Sequence, residues 1–166
     1  MDDSSTSLEH ADTTRARLVE LLTRGAPRAP DRASLEAWGR AVGALLPRPS
    51  IVTLSGDLGV GKTTLARALC DGLGVHASVS VTSPTFALMQ EYTSPRGTVM
   101  HVDLYRLKGP GELAALGWDE IVATASVLLI EWPDRARGTL PRTAIDIELR
   151  HDAAHADRRA LSVRFA

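Results

Sequence analysis

The chain has 166 residues, 44% of them hydrophobic and 23% charged, which predicts one ordinary globular domain with a full-sized core. The formal net charge of −1 excludes a global electrostatic attraction to nucleic acid, so any RNA involved is expected to be held by another molecule. No apolar run approaches membrane-spanning length and the single cysteine, Cys70, cannot form an internal disulfide, so we expect a cytoplasmic protein without membrane contact.

The first 30 residues differ in character from the rest of the chain. They are polar, contain one short amphipathic segment at 14–23, and end in a proline-punctuated linker at 25–30. This pattern predicts a flexible N-terminal extension, carrying at most one loosely docked helix, at residues 1–30. The main domain is then expected at residues 31–166.

A first helix of the domain is predicted directly after the linker. Asp31 or Ser34 is a suitable N-cap, and Pro47 and Pro49 end the helix. Apolar residues follow at helical spacing, namely Leu35, Trp38, Ala41, Val42 and Leu45.

Residues 51–64, IVTLSGDLGVGKTT, contain the pattern G-x-x-x-x-G-K-T directly after an apolar, strand-like run. In such a P-loop the glycines let backbone N–H groups face phosphates, Lys62 reaches the outer phosphates, and the Thr63 hydroxyl ligates Mg²⁺. The positive end of the following helix adds to the same attraction. The residues expected to surround the nucleotide are Gly56, Asp57, Leu58, Gly59, Val60, Gly61, Lys62, Thr63 and Thr64. The motif therefore predicts binding of a nucleoside triphosphate with Mg²⁺.

The segment after the P-loop helix predicts a hairpin. Gly72 and Gly74 end the helix, and a hydroxyl-rich loop follows at 79–85. Two strand-like runs at 86–93 and 98–103 are joined by a turn so short that they must be antiparallel.

The remaining elements complete an α/β pattern. Residues 109–125 have helical spacing with a break near Gly117, and the continuous apolar run at 127–130 is typical of a central parallel strand. Alternating runs at 143–149 and 160–165 predict a closing antiparallel pair. The element order predicts a three-layer P-loop NTPase fold with a small mixed, mainly parallel sheet and antiparallel hairpins.

Two carboxylates follow apolar strands and are candidates for the metal-linked acid that nucleotide hydrolysis needs. Glu131 comes after the strand at 127–130, and Asp103 comes after the strand-like run that ends at Val102. Either position also suits a solvated strand end, so the spacing alone leaves both interpretations open.

Four short motifs occur in order along the chain. They are S-G-D-L-G-V-G-K-T-T at 55–64, S-P-T-F at 83–86, H-V-D-L-Y-R-L at 101–107 and I-E-W-P-D at 130–134. In this order they resemble the TsaE family, formerly called YjeE, the bacterial ATPase that supports synthesis of threonylcarbamoyladenosine in tRNA. The resemblance runs from about residue 32 to the end of the chain and leaves out the N-terminal 30 residues.

The resemblance implies a division of catalytic roles. Lys62 and Thr63 would bind phosphate and Mg²⁺, and Glu131 would supply the second metal-directed carboxylate. Thr85 would lie in a mobile switch near the γ-phosphate of ATP. Asp103 would lie in a second switch and orient the attacking water or link it to Mg²⁺.

Two aromatic residues and one arginine that follow Glu131 and Asp103 in the chain have two interpretations each. By resemblance, Trp132 lies against the nucleotide or covers it, while Tyr105 and Arg106 shape the second switch. The alternatives are that the two aromatic residues pack in the interior and that Arg106 pairs with a surface acid. His101 is expected to be a structural histidine with satisfied hydrogen bonds rather than a catalyst.

The resemblance also implies partners. Family members are understood to hydrolyse ATP, weakly alone, when docked on a complex of TsaB and TsaD, in which TsaD carries out the transfer to tRNA. Hydrolysis is thought to reset that complex, so the protein would act as a nucleotide-driven switch and meet tRNA only indirectly. The near-neutral charge agrees with tRNA being held elsewhere.

Two rival functions follow from the P-loop alone. A small-molecule kinase would transfer the γ-phosphoryl group of ATP to a metabolite hydroxyl, but it needs an arginine-bearing lid for which the segment after Glu131 is short. A GTPase usually selects guanine with an N-K-x-D segment, and the chain contains no asparagine.

Overall fold

The computed structural model of the chain describes residues 3–141 and 144–165. Within these ranges six strands form one sheet in the spatial order β2–β3–β4–β1–β5–β6. The strands are β1 (Ser50–Ser55), β2 (Met89–Ser94), β3 (Gly97–Asp103), β4 (Val127–Glu131), β5 (Ile145–His151) and β6 (Arg159–Arg164). Strands β3, β4, β1 and β5 are mutually parallel, while β2 and β6 add antiparallel edges. The mixed, mainly parallel sheet with two hairpins is therefore confirmed.

Helices cover both faces of this sheet. Over the described residues they are α1 (Asp3–Thr23), α2 (Arg32–Leu45), α3 (Lys62–Leu73), α4 (Pro110–Ala114) and α5 (Trp118–Thr124). Every residue of β4 is buried, because alternate side chains enter different cores. Leu129 joins the core shared with α1, α2 and α3, and Leu128 joins the core shared with α4 and α5. The three-layer architecture follows from this division.

The two helices beside the P-loop pack unusually closely. A Cβ atom added to Gly43 of α2 would lie 2.3 Å from the carbonyl oxygen of Leu69, and one added to Gly72 of α3 would lie 2.1 Å from that of Arg40. Only glycine fits at such a backbone approach. Of the two predicted N-caps, Asp31 fills the role, since its Oδ1 accepts a 2.8 Å hydrogen bond from the Ser34 amide.

The N-terminal extension contains a longer helix than its amphipathic segment predicted. The inner face of α1 is buried, with Leu18 and Leu22 only 5% and 3% exposed. Trp38 of α2 donates its indole N–H to the Leu21 carbonyl at 3.3 Å, which ties α1 to the domain. The flexibility predicted for residues 1–30 stays a prediction.

The linker after α1 lies along the outer edge of the sheet. The Arg159 amide donates to the Pro30 carbonyl at 3.0 Å and the Leu161 amide to the Arg28 carbonyl at 3.4 Å. These bonds cover polar backbone groups that an edge strand would otherwise expose. No helix in the described ranges is both long and apolar enough to cross a membrane.

The sequence-predicted strand boundaries lie within two residues of the observed ones, with one exception. The first strand of the β2–β3 hairpin begins at Met89, so the start predicted at residue 86 was wrong. Thr143, the first residue of the strand predicted at 143–149, lies outside the described residues. Cys70 is buried in α3, and burial raises the pKa of its thiol to about 12, so a nucleophilic thiolate is disfavoured there.

Candidate nucleotide-binding site

The P-loop joins the end of β1 to the start of α3, as the motif predicts. Gly56 and Gly61 have φ angles of 131° and 114°, which side-chain-bearing residues rarely adopt. A Cβ atom on Gly56 would also lie 2.0 Å from the Leu149 carbonyl oxygen of β5. The loop backbone is thus fixed by its glycines and by the adjacent strand.

Lys62 is drawn in toward this loop. Its Nζ donates hydrogen bonds of 2.8 Å to the carbonyl oxygens of both Gly56 and Asp57. The same atom lies 3.9 Å from the ring centroid of Trp132. Burial lowers the pKa of this ammonium, and the nearby carboxylates of Glu131 and Asp103 oppose that shift. The loop therefore holds a poorly solvated positive charge that a phosphate would neutralise.

Glu131 ends β4 directly beside the first turn of α3. The Thr63 hydroxyl donates to Glu131 Oε1 at 2.8 Å. Carboxylate and hydroxyl oxygens are the donors that Mg²⁺ prefers, and this ion is usually held by few protein groups together with phosphate oxygens. The pair of Thr63 and Glu131 fits that requirement.

Asp103 lies in the neighbouring strand at the same edge of the sheet. In the parallel β3–β4 ladder it is the register partner of Glu131, so the two carboxylates are brought together as expected. Its Oδ2 accepts hydrogen bonds from the hydroxyls of Ser83 at 2.5 Å and Thr85 at 2.6 Å. Its Oδ1 accepts a 2.9 Å bond from the Tyr105 amide. Asp103 thus links the S-P-T-F loop to the segment that follows β3.

Two aromatic residues line the cleft, and one of them, Trp132, also packs against the core shared with α4 and α5. The rings of Tyr105 and Trp132 lie 4.9 Å apart between centroids, and both border the same cavity. Trp132 has a φ of 61°, a left-handed conformation that is costly outside glycine and often found at functional sites. Arg106 stacks its guanidinium 4.4 Å from the ring centroid of Phe86, joining the two predicted switch segments.

These groups surround one cleft of about 370 Å³. The lining residues are Leu58, Gly59, Gly61, Lys62, Thr63, Thr64, Ser83, Thr85, Asp103, Tyr105, Glu131 and Trp132. Three other residues of the predicted nucleotide set do not line it. Val60 is buried in the core, while Gly56 and Asp57 contribute the carbonyl oxygens that hold Lys62. Their assignment to nucleotide binding stays a prediction.

Two polar residues of the site were not assigned a role in it from the sequence. Ser83 belongs to the S-P-T-F motif and stands two positions before Thr85, a spacing that could have indicated a shared partner. His101 was expected to be structural and fully satisfied, yet only its Nε2 has a partner, Glu131 Oε1 at 3.0 Å. Its Nδ1 is buried without a hydrogen-bond partner among the described residues.

These features define a P-loop NTPase fold. A glycine-rich loop joins a parallel strand to a helix that begins with Lys-Thr, and the neighbouring parallel strand ends in an acidic residue. The family model for "Threonylcarbamoyl adenosine biosynthesis protein TsaE" matches residues 29–160, and the chain belongs to the TsaE family. The family resemblance carried by the four motifs is therefore confirmed.

Relatives and a solved structure agree with this placement. The tRNA threonylcarbamoyladenosine biosynthesis protein TsaE of Haemophilus influenzae is 37% identical over 125 residues, covering 72% of this chain and 78% of that protein. The proteins of the same name from Rickettsia bellii and Treponema pallidum are each 40% identical over 113 residues, covering 68% of this chain and 77% and 82% of theirs. The crystal structure of YdiB from Bacillus subtilis superposes with a TM-score of 0.66 at 25% identity, covering 82% of both chains.

Proposed function

We propose that this chain is a Mg²⁺-dependent, ATP-hydrolysing subunit required for threonylcarbamoyladenosine modification of tRNA, acting in the cytoplasm on a complex of TsaB and TsaD. The observation that carries the proposal is the convergence of Lys62, Thr63, Glu131 and Asp103 on one cleft beside the P-loop. Membership of the TsaE family supports the biological role.

Binding would begin at the P-loop. Lys62 exchanges its hydrogen bonds with the loop carbonyls for bonds to the outer phosphates, and the N-terminus of α3 adds its dipole. Thr63 and Glu131 would hold Mg²⁺, which would supply positive charge to neutralise the phosphates and the leaving group. Trp132 lies beside Lys62 and shields the phosphates from solvent.

Hydrolysis would depend on Asp103 and its two loops. The carboxylate of Asp103 would accept a hydrogen bond from the attacking water, or link that water to the metal, and would so orient it toward the γ-phosphorus. Thr85 and Tyr105 share that carboxylate, so a change at the γ-phosphate alters the hydrogen bonds of both loops. Loss of the phosphate releases the loops, which is the switching step.

The decisive experiment measures Mg²⁺-ATP hydrolysis by the purified chain, alone and with TsaB and TsaD of its own organism. We expect slow hydrolysis alone and strong stimulation by the pair, with the Lys62→Ala chain as the inactive control. Bound ATP without stimulation would remove the switch proposal. Phosphoryl transfer to metabolite hydroxyls would then be the next assay, although no feature of the described residues favours a kinase.

A further inference from the structure

The buried imidazole of His101 lies behind the proposed metal-binding carboxylate. The side chain is 0% exposed, and its Nε2 lies 3.0 Å from Oε1 of Glu131. The same oxygen accepts the 2.8 Å hydrogen bond from the Thr63 hydroxyl. Two polar groups from different elements, β3 and α3, therefore meet on one carboxylate oxygen at the end of β4.

The ring's other nitrogen identifies the tautomer. Nδ1 is buried and has no hydrogen-bond partner among the described residues. A proton on Nδ1 would be left without an acceptor, and the Nε2 lone pair would then face the carboxylate oxygen of Glu131 at 3.0 Å. The proton consequently belongs on Nε2, where Glu131 accepts it.

We propose that His101 is a positioning residue for Glu131, a role that rests on the proposed function of Glu131 at the metal. A carboxylate held by the imidazole and by Thr63 cannot rotate about its side-chain bonds without breaking both hydrogen bonds. Outer partners of this kind fix the orientation of a metal-site group. His101 touches neither nucleotide nor metal in this role and acts only through the carboxylate.

Two substitutions separate positioning from simple core filling. His101→Leu keeps apolar bulk but removes the donor, and His101→Gln keeps a side-chain N–H of similar reach. We expect His101→Leu to lower kcat about 10- to 100-fold with little change in KM for ATP, and His101→Gln to recover part of the loss. His76→Leu, at an exposed histidine outside the cleft, is the matched control. Equal activity of the Leu variant and the unmodified chain would overturn the inference.

A double-mutant cycle locates the effect in Glu131. If His101 acts through that carboxylate, adding His101→Leu to Glu131→Gln lowers kcat no further. Independent, multiplying losses would contradict the positioning role. If Glu131→Gln alone left both turnover and the Mg²⁺ dependence of ATP binding unchanged, the metal role of Glu131 and the inference would fail together. A defective Glu131→Gln with an undisturbed His101→Leu would overturn the inference alone.

A measurement on the unmodified chain needs no variant to be active. Nitrogen NMR of chain labelled with ¹⁵N-histidine distinguishes protonated from unprotonated ring nitrogens, and His101→Gln assigns the His101 signals by their disappearance. We expect one protonated nitrogen, Nε2, and one unprotonated nitrogen, Nδ1. A proton on Nδ1, alone or together with Nε2, would overturn the assignment.

Discussion

At the residue scale, the cleft contains one buried lysine and two buried carboxylates. Lys62 is 4% exposed, and Asp103 and Glu131 are 2% and 3% exposed. Charges at this depth are costly unless each has partners, and each of the three has at least two. The formal sum of −1 favours entry of a divalent cation together with an anionic ligand.

Lys62→Ala tests the phosphate-binding role. Removing the ammonium deletes charge-assisted hydrogen bonds to the phosphates, so the affinity for Mg²⁺-ATP should fall by at least about 100-fold, or about 2.7 kcal/mol. Calorimetric titration measures the affinity, and circular dichroism checks that the fold is intact. Lys108→Ala, at an exposed lysine, serves as the control. Unchanged ATP affinity in the Lys62 variant would remove the central claim.

Glu131→Ala separates binding from turnover. The P-loop and Lys62 remain in this variant, so much of the nucleotide affinity should persist, while hydrolysis with the partner proteins should drop at least about 100-fold. The comparison variant is Glu120→Ala, an exposed glutamate on α5. Full turnover would show that the metal assignment is wrong, and Asp103 would take that role.

Sequence reasoning located the principal acids because strand ends can be read from hydrophobic runs. The contacts of Ser83 and His101 could not be read in the same way. The His101 contact depends on β3 lying beside β4 with Asp103 opposite Glu131, and this pairing of distant strands leaves no local signature in either one. The Ser83 contact depends on how the loop before β2 folds over Asp103.

At the element scale, hydrophobic spacing predicted the helices and strands but misplaced some of their faces. In α2, Ala41 was expected on the buried side, yet it is exposed while Gly39 and Gly43 are buried. Hydrophobic periodicity detects large apolar side chains. It misses glycines, which occupy the buried face where two helices pack closely. Strand β2 begins late because Leu88 adopts a φ of 64° and its amide bonds back to the Pro84 carbonyl, leaving Phe86 85% exposed.

Gly43→Ala tests the close packing of α2 on α3. The added methyl group would meet the Leu69 carbonyl oxygen at 2.3 Å and force the helices apart. We expect the free energy of unfolding in urea to fall by about 1–3 kcal/mol, although alanine is the better helix former. Gly111→Ala, where the new Cβ would meet nothing within 4 Å, is the control and should be neutral or stabilising. Equal stability of the Gly43 variant would mean that the helices can separate freely.

At the scale of the whole molecule, the chain consists of a family domain and a segment that precedes it. The family match begins at residue 29, and none of the cleft-lining residues comes from α1. Nevertheless α1 buries leucines against α2, and the linker residues bond to β6. The extension is therefore expected to contribute to the stability of the domain without contributing to its chemistry.

The double variant Leu18→Ala/Leu22→Ala decides whether α1 is a docked helix or the flexible extension that the sequence predicts. If α1 is docked, each buried leucine lost should lower the free energy of unfolding by about 2–5 kcal/mol, so the double variant should lose at least about 4 kcal/mol, measured in urea. Arg15→Ala/Arg17→Ala, on the exposed face of the same helix, controls for changes in helix propensity. Affinity for Mg²⁺-ATP should stay within about twofold in both variants, because the P-loop side of α3 is untouched. Unchanged stability would show that residues 1–30 are flexible, whereas a loss of ATP affinity would show that α1 and the cleft are coupled through α2 and α3.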